Sequence, residues 1–273
     1  MLYLLDKNGF VVNEASAVKV QPEYRPVISD VIKLCTGILG NNLKSVMVRG
    51  SVSVGRAIPN TSDIDVVAVV DKSISKTKQT LISLQTDSLE AKYQFISLID
   101  ITVLSMPELM SSRQFINLKV YLKTQSFCAW GENILDKLPA VKPGKELALQ
   151  MYSNIESEFS NLKKIFEGKT KNLAYSGKVQ PIRFWCVWIT RVLLRSGLGL
   201  VMFKRPVYSQ DLGTCCGIFS EAYPQYKKLM EKALYYSLNP TNNSEEILIF
   251  INTFIPKFVE LWKPILNDRY YVK

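Results

Sequence analysis

The sequence predicts an α+β protein: a β-sheet with flanking helices in the first half and an α-helical bundle in the second. Three observations carry that expectation. Apolar, strand-like runs lie early in the chain, over residues 46–70 and 96–104. From residue 147 onward, apolar side chains recur at spacings of three and four, the period of a helix. Between the halves stand Leu138-Pro139 and Pro143-Gly144, dipeptides that punctuate a chain. At 273 residues the chain exceeds the commonest domain size. The expected division is one domain over residues 1–140 and a second over residues 141–273.

The first half opens on a small hairpin over residues 2–12, with Asn8-Gly9 as its two-residue turn. Residues 22–39 carry Val27, Ile28, Val31, Ile32, Cys35, Ile38 and Leu39 at helical spacing, and Gly40 is placed to close that helix. The stretch around which the rest is organised follows, VMVRGSVSVGRAIPNTSDIDVVAVV over residues 46–70. It reads as a strand, a tight Gly-Ser turn, a polar connection and a second apolar strand that opens on two aspartates. Residues 76–93 read as a helix with Leu81, Leu84 and Leu89 turned inward, and Lys72, Lys76 and Lys78 mark a solvated face. Residues 96–104 alternate as a strand containing Asp100. The run from 107 to 135 is mixed: a short helix, then residues 117–125, then Cys128-Ala129-Trp130-Gly131-Glu132.

The second half shows no convincing strand of period two. Helices are expected over residues 147–166, 182–198, 210–221, 225–238 and 244–266, with N-caps around Ser209-Gln210-Asp211 and Asn242-Asn243-Ser244-Glu245. Arg191 and Arg195 lie i, i+4 on one helix face among Phe, Trp, Val and Leu, and Arg183 precedes them. Guanidinium groups in such company need anionic partners. Ion pairs within the bundle and contact with an anionic ligand both meet that need. Trp185, Trp188, Tyr208, Tyr235 and Tyr236 are read as core aromatics before stacking platforms for a base.

Asp63 and Asp65 are i, i+2, so in an extended chain both carboxylates leave one face with Cα atoms about 7 Å apart. Like charges in that position repel, and Asp is a poor strand former. A cation offsets that cost, and a divalent metal suits hard oxygen ligands that leave room for water and phosphates. Three other readings compete. Gly50 to Gly55 has the glycine spacing of a phosphate-binding loop, but Arg56-Ala57 stands where Lys-Ser/Thr would hold phosphate and metal. Asp63-x-Asp65 resembles the opening of an EF-hand loop, but the apolar run to Val70 supplies neither its glycine nor its terminal glutamate. The plainest alternative is an edge strand with two solvated aspartates.

Gly50-Ser51, ten intervening residues and then Ser62-Asp63-Ile64-Asp65-Val66 resemble the signature of the DNA polymerase β-like nucleotidyltransferase superfamily. Within it, the pattern is most similar to bacterial stand-alone nucleotidyltransferases, including aminoglycoside-modifying adenylyltransferases. The motif set spans roughly the first 105 residues. The resemblance implies a mixed β-sheet catalytic domain followed by a helical substrate-binding domain, with the active site between them. It implies a third carboxylate on a neighbouring strand, where Asp100 stands, with Glu90 as the alternative. It further implies two Mg²⁺ ions (Mn²⁺ as a substitute) on Asp63, Asp65 and Asp100, with Asp100 as base toward the acceptor. Gly50, Ser51, Arg56 and Ser62 are the expected nucleotide contacts. In the family the Gly-Ser turn leads into a helix, and many relatives carry an arginine where this chain has Val54.

Composition narrows the chemistry. The chain has no histidine, which excludes His-based acid–base catalysis and His-ligated zinc. Its five cysteines form no CxxC pair, and an odd number argues against a disulfide scaffold. Cys215-Cys216 is read as buried packing on a helix. The net charge of +10 favours anionic partners. Asp6 and Lys7 interrupt the first apolar run, which disfavours a signal peptide. Arg191 and Arg195 disfavour a membrane span over residues 184–203. A cytoplasmic protein without membrane contact is expected. The expected reaction is transfer of a nucleoside monophosphate from an NTP, ATP foremost, to a hydroxyl of a small molecule, RNA end or protein side chain, releasing pyrophosphate. The alternative is an inactive nucleotide- or RNA-binding module of the same fold.

Overall fold

A computed structural model describes residues 1–170, 174–175 and 178–267. The chain folds as two compact units, one comprising Val12–Val141 and the other Met1–Val11 with Lys142–Lys273.

In the first unit a four-stranded mixed sheet has the order β3-β2-β1-β4. Strand β1 (Leu43–Arg49) pairs antiparallel with β2 (Ile64–Val70) on one side and with β4 (Ser126–Gly131) on the other. Strand β3 (Ile99–Ser105) runs parallel to β2. A parallel pair needs a crossover, supplied by α2 (Lys76–Lys92), which Ser75 caps by accepting a hydrogen bond from the Lys78 N–H. Helix α1 (Arg25–Leu39) precedes β1 and ends at Gly40, whose φ of +56° few side-chain-bearing residues adopt.

The apolar runs of β1 and β2 are nearly continuous because both faces of the sheet are covered. Val46, Val48, Ile64, Val66, Ala68 and Val70 join the core formed with α1 and α2. Met47, Val67 and Val69 face the other way, toward Leu109 of α3 (Met106–Ser111), Leu122 of α4 (Ile116–Gln125), Ile134 and Leu138. Successive side chains of a strand leave opposite faces, so each strand feeds two cores.

Two details depart from expectation. The inward face of α2 is Ile82 and Thr86, with Leu89 packed beside them, while Leu81 and Leu84 are exposed. Ile82, Thr86 and Leu89 also fall at spacings of four and three, so periodicity permitted either face. The segment 126–131, part of a run that reads as mixed, is a full strand pairing with β1.

The hairpin at the start of the chain belongs to the helical unit. Its turn is tied by the Asp6 carboxylate, which accepts from the Asn8 and Phe10 N–H groups, and Leu5 bridges Val11. The Tyr3 N–H donates to the Tyr208 carbonyl at 3.0 Å, and the two rings meet edge to face. The remaining elements there are α5 (Lys145–Tyr152), α6 (Ile155–Phe166), the two-residue strands β5 (Ala174–Tyr175) and β6 (Lys178–Val179), α7 (Ile182–Met202), α8 (Leu212–Ala222), α9 (Lys227–Leu238) and α10 (Ser244–Asn267). The helix expected over residues 147–166 is broken into α5 and α6 at Ser153-Asn154. Asp211 and Asn243 cap α8 and α10 as their sequence positions implied. Phe159, Phe219, Phe254, Phe258 and Trp262 are fully buried in this unit. Helix α7 is long and apolar enough by composition to cross a membrane, but 67% of its apolar window is buried within the fold, as in a core helix.

Candidate active site

One face of the sheet in the first unit ends in a row of charge. Arg49 is the last residue of β1, and its Cα partner across the antiparallel ladder is Asp65, the second residue of β2. Asp65 is in turn the Cα partner of Asp100 across the parallel ladder. Paired residues on neighbouring strands point to the same side, so three strands present Arg49, Asp65 and Asp100 side by side. By alternation this is the face of Met47 and Val67, which α3 and α4 cover further along.

Asp63 lies immediately before β2 and is half-buried. The buried Ile64 separates it from Asp65, and the Ile64 N–H donates to the Leu98 carbonyl at 2.8 Å, which keeps the chain extended there. Asp100 is only 4% exposed, a carboxylate almost wholly withdrawn from water. Glu90, the other candidate for the third acid, uses a carboxylate oxygen to accept from the Ile99 N–H at 2.9 Å. It braces the start of β3 one residue before Asp100.

Gly50 has φ of +79°, and a Cβ there would stand 2.6 Å from Asp65 Oδ2. Both facts require glycine: the backbone turns left-handed, and it approaches the carboxylate closely. The Gly50 N–H donates to the Gln125 carbonyl at 3.3 Å. Beyond it the chain makes successive turns through Gly55 and not a helix. Ser53 donates through N–H and hydroxyl to the Gly50 carbonyl, the Ser51 carbonyl accepts from the Arg56 N–H, and Gly55 at φ +72° passes against the Lys19 backbone. The family's expected helix is absent because this connection is consumed in such turns.

Arg56 and Ser62, expected as nucleotide contacts, have local tasks. Arg56 pairs with Glu14 at 3.2 Å. Ser62 Oγ accepts from the Ile58 N–H at 2.9 Å, and its own N–H donates back to the Ile58 carbonyl, closing the loop before Asp63.

Sequence reasoning missed Arg49. Its Nη2 donates to Asp65 Oδ1 at 2.6 Å, and the two side chains are 18% and 14% exposed. The guanidinium also lies 6.0 Å from the centroid of the Tyr121 ring on α4. The signal was present: an arginine follows the apolar run Val46-Met47-Val48, directly before Gly50. Asp30, on α1, lies away from this row; its carboxyl is held well below its usual range by hydrogen bonds from Lys92, Tyr93 and Lys33.

Whether these acids suit a divalent cation is decided by donor chemistry. Among the described residues, no group of three or more His, Cys, Asp and Glu side chains is gathered to hold an ion. A ready-made three-acid cage is therefore not what the fold presents. Mg²⁺ does not ask for one: it is usually held by one or two carboxylates, with waters and substrate phosphates completing the octahedron. Asp65 and Asp100 on adjacent strands supply hard oxygens of that kind, and the guanidinium on Asp65 stands in for a cation there. The pair fits one ion completed by a nucleotide.

In the helical unit Arg191 and Arg195 are half-buried on α7, and Arg195 lies near enough to the Cys215 thiol to oppose, weakly, the burial that pushes that thiol up to about 12. All five cysteines are free thiols.

No protein-family model matches the chain, and no curated protein resembles it significantly. Among solved structures, spectinomycin adenyltransferase AAD(9) from Enterococcus faecialis, solved with ATP and spectinomycin, aligns with a TM-score of 0.51 at 13% identity, over 83% of this chain and 96% of that one. A toxin–antitoxin structure with AMP-PNP aligns at 19% identity and a TM-score of 0.31, over 52% of this chain and 96% of that one. The tri-AMPylated Shewanella oneidensis HEPN toxin in complex with MNT antitoxin gives 17%, 0.28, 52% and 93%. The last two scores add nothing to the assignment. The first, with the sheet order and helical second unit, identifies the chain as a protein of the nucleotidyltransferase fold.

Proposed function

We propose that this chain transfers a nucleoside monophosphate from an NTP, ATP foremost, to an acceptor hydroxyl. The observation that carries the reading is the registration of Asp65 against Asp100, beside the Gly50 turn, where a side chain would run into Asp65. A decorative pair of surface acids would need neither a nearly buried Asp100 nor a glycine shaped around Asp65.

The acceptor oxygen attacks the α-phosphorus, the bond to the β-phosphate oxygen breaks, and pyrophosphate leaves. Asp100 takes the acceptor's proton on a carboxylate oxygen. With the Gly50 N–H used by Gln125 and Val52 wholly buried, the N–H of Ser51 is the turn's offering to the β- and γ-phosphates. Arg56, half exposed, can reach phosphate only by leaving Glu14, and Ser62 holds the loop in shape. Asp65 and Asp100 are the ligands proposed for Mg²⁺, with Asp63 next to them at the entry to β2, and the ion when bound stabilises charge on the attacking and leaving oxygens. Acceptor classes remain small molecule, RNA end and protein side chain; the charge of +10 favours an anionic acceptor over a cationic one.

Pyrophosphate release from each of the four NTPs, measured with candidate acceptors and divalent cation, tests the reading. Release that Asp100→Asn abolishes supports it. Absence of release with any NTP and acceptor, in protein that binds nucleotide, favours the second reading: nucleotide binding without turnover. The ion pair that already occupies Asp65 is the observation on that side.

A further inference from the structure

We propose that Arg49 is a resident counter-cation that competes with the divalent ion for Asp65, so that metal enters this site only when Arg49 is drawn off. The inference rests on the nucleotidyltransferase reading of the same acids but concerns a residue that reading leaves unassigned.

Asp65 is a poor fit to its own strand: a carboxylate only 14% exposed, neighbouring Asp100 across the ladder. Two acids so placed repel, and water does little to screen them. Arg49 relieves that repulsion from within the chain. It sits at the matching register position, and its charge-assisted hydrogen bond of 2.6 Å is at the short end for such contacts. Tyr121 lies at cation–π distance, so the guanidinium is placed from two sides. Asp65 Oδ1 is held by Arg49, and Oδ2 occupies the space that a side chain at position 50 would need. Cation and metal cannot share Oδ1 in this arrangement. A triphosphate settling on the Gly50 turn, one residue from Arg49, is the anion that can take the guanidinium and release Asp65 to the ion. Metal and nucleotide then bind cooperatively, each weakly without the other.

The experiment measures Mn²⁺ affinity directly, by the paramagnetic resonance signal of free Mn²⁺, with no substrate and no turnover. Wild type, Arg49→Met, Arg49→Lys and Arg49→Met/Asp65→Asn are compared, each checked for folding by circular dichroism. Arg49→Met is expected to bind Mn²⁺ at least about tenfold more tightly than wild type, because the competitor for Asp65 is gone. Millimolar guanidinium added to that variant should weaken binding again, and the double variant should lose the gain. Arg49→Lys, a point charge without the planar fork, should fall between, and carries the test if the methionine variant does not fold. Equal, tight binding by wild type and the Arg49 variants would overturn the inference while leaving nucleotidyl transfer intact. No Mn²⁺ binding by any folded variant would overturn it too, whereas missing pyrophosphate release beside a tenfold gain would count only against the transfer reading.

Discussion

The two units bury apolar surface in opposite styles. The helical unit closes on a ladder of large rings, with Phe250, Phe254, Phe258 and Trp262 following one another at spacings of four along α10 and all buried. The sheet unit buries small β-branched residues on both faces of two strands, and then places three charged residues in line at one end of one face. A ring ladder stores stability and is indifferent to ligands. A charge row costs stability and is retained where something charged is to be met. Substitutions in the two units should therefore fail in different ways, the first by melting and the second by losing affinity.

The largest expected effect is in the helical unit. Trp262→Ala removes a fully buried side chain that packs beside the Tyr152 ring, and should lower stability by about 3–5 kcal/mol, read from denaturant unfolding. A loss below about 1 kcal/mol would mean that α10 is not the keel of this unit.

A smaller structural effect with a larger functional one is expected at Gly50→Val. The left-handed backbone and the 2.6 Å approach to Asp65 Oδ2 should cost about 1–2 kcal/mol of stability. Nucleotide affinity by calorimetry should fall at least about tenfold, a change worth 1.4 kcal/mol. If melting drops steeply while the folded protein binds nucleotide normally, the contrast between the units fails at this point.

The smallest effect is a pH dependence in the sheet unit, away from the charge row. Asp30 is depressed by Lys92, Tyr93 and Lys33, so its contribution is present above the unfolded carboxyl value near pH 4 and is lost as pH falls below it toward the folded value. Wild type should melt slightly above Asp30→Asn at neutral pH, and the gap should close on acidification from about pH 5 downward. A gap that widens in acid would reverse the sign argued for this group. Solvent around the lysines keeps the effect small.

Much of this protein was written in local sequence. Helical periodicity located α1, α2 and the bundle helices, Asp211 and Asn243 announced their caps, and the i, i+2 aspartates marked the strand where the candidate site lies. Those features depend on neighbours a few residues away, which a sequence shows. Three others depend on residues far apart in the chain. Whether Leu84 or Ile82 faced inward was settled by what α2 packed against. Met1–Val11 joined the helical unit through Tyr3 and Tyr208, partners more than two hundred positions apart. Arg49 looked like an ordinary strand end until the antiparallel register set it opposite Asp65, and the parallel register set Asp65 opposite Asp100. The acids and the glycine can be read along the chain. That a cation from the same chain meets one of those acids follows from the folded sheet, because register is a property of paired strands and not of either strand alone.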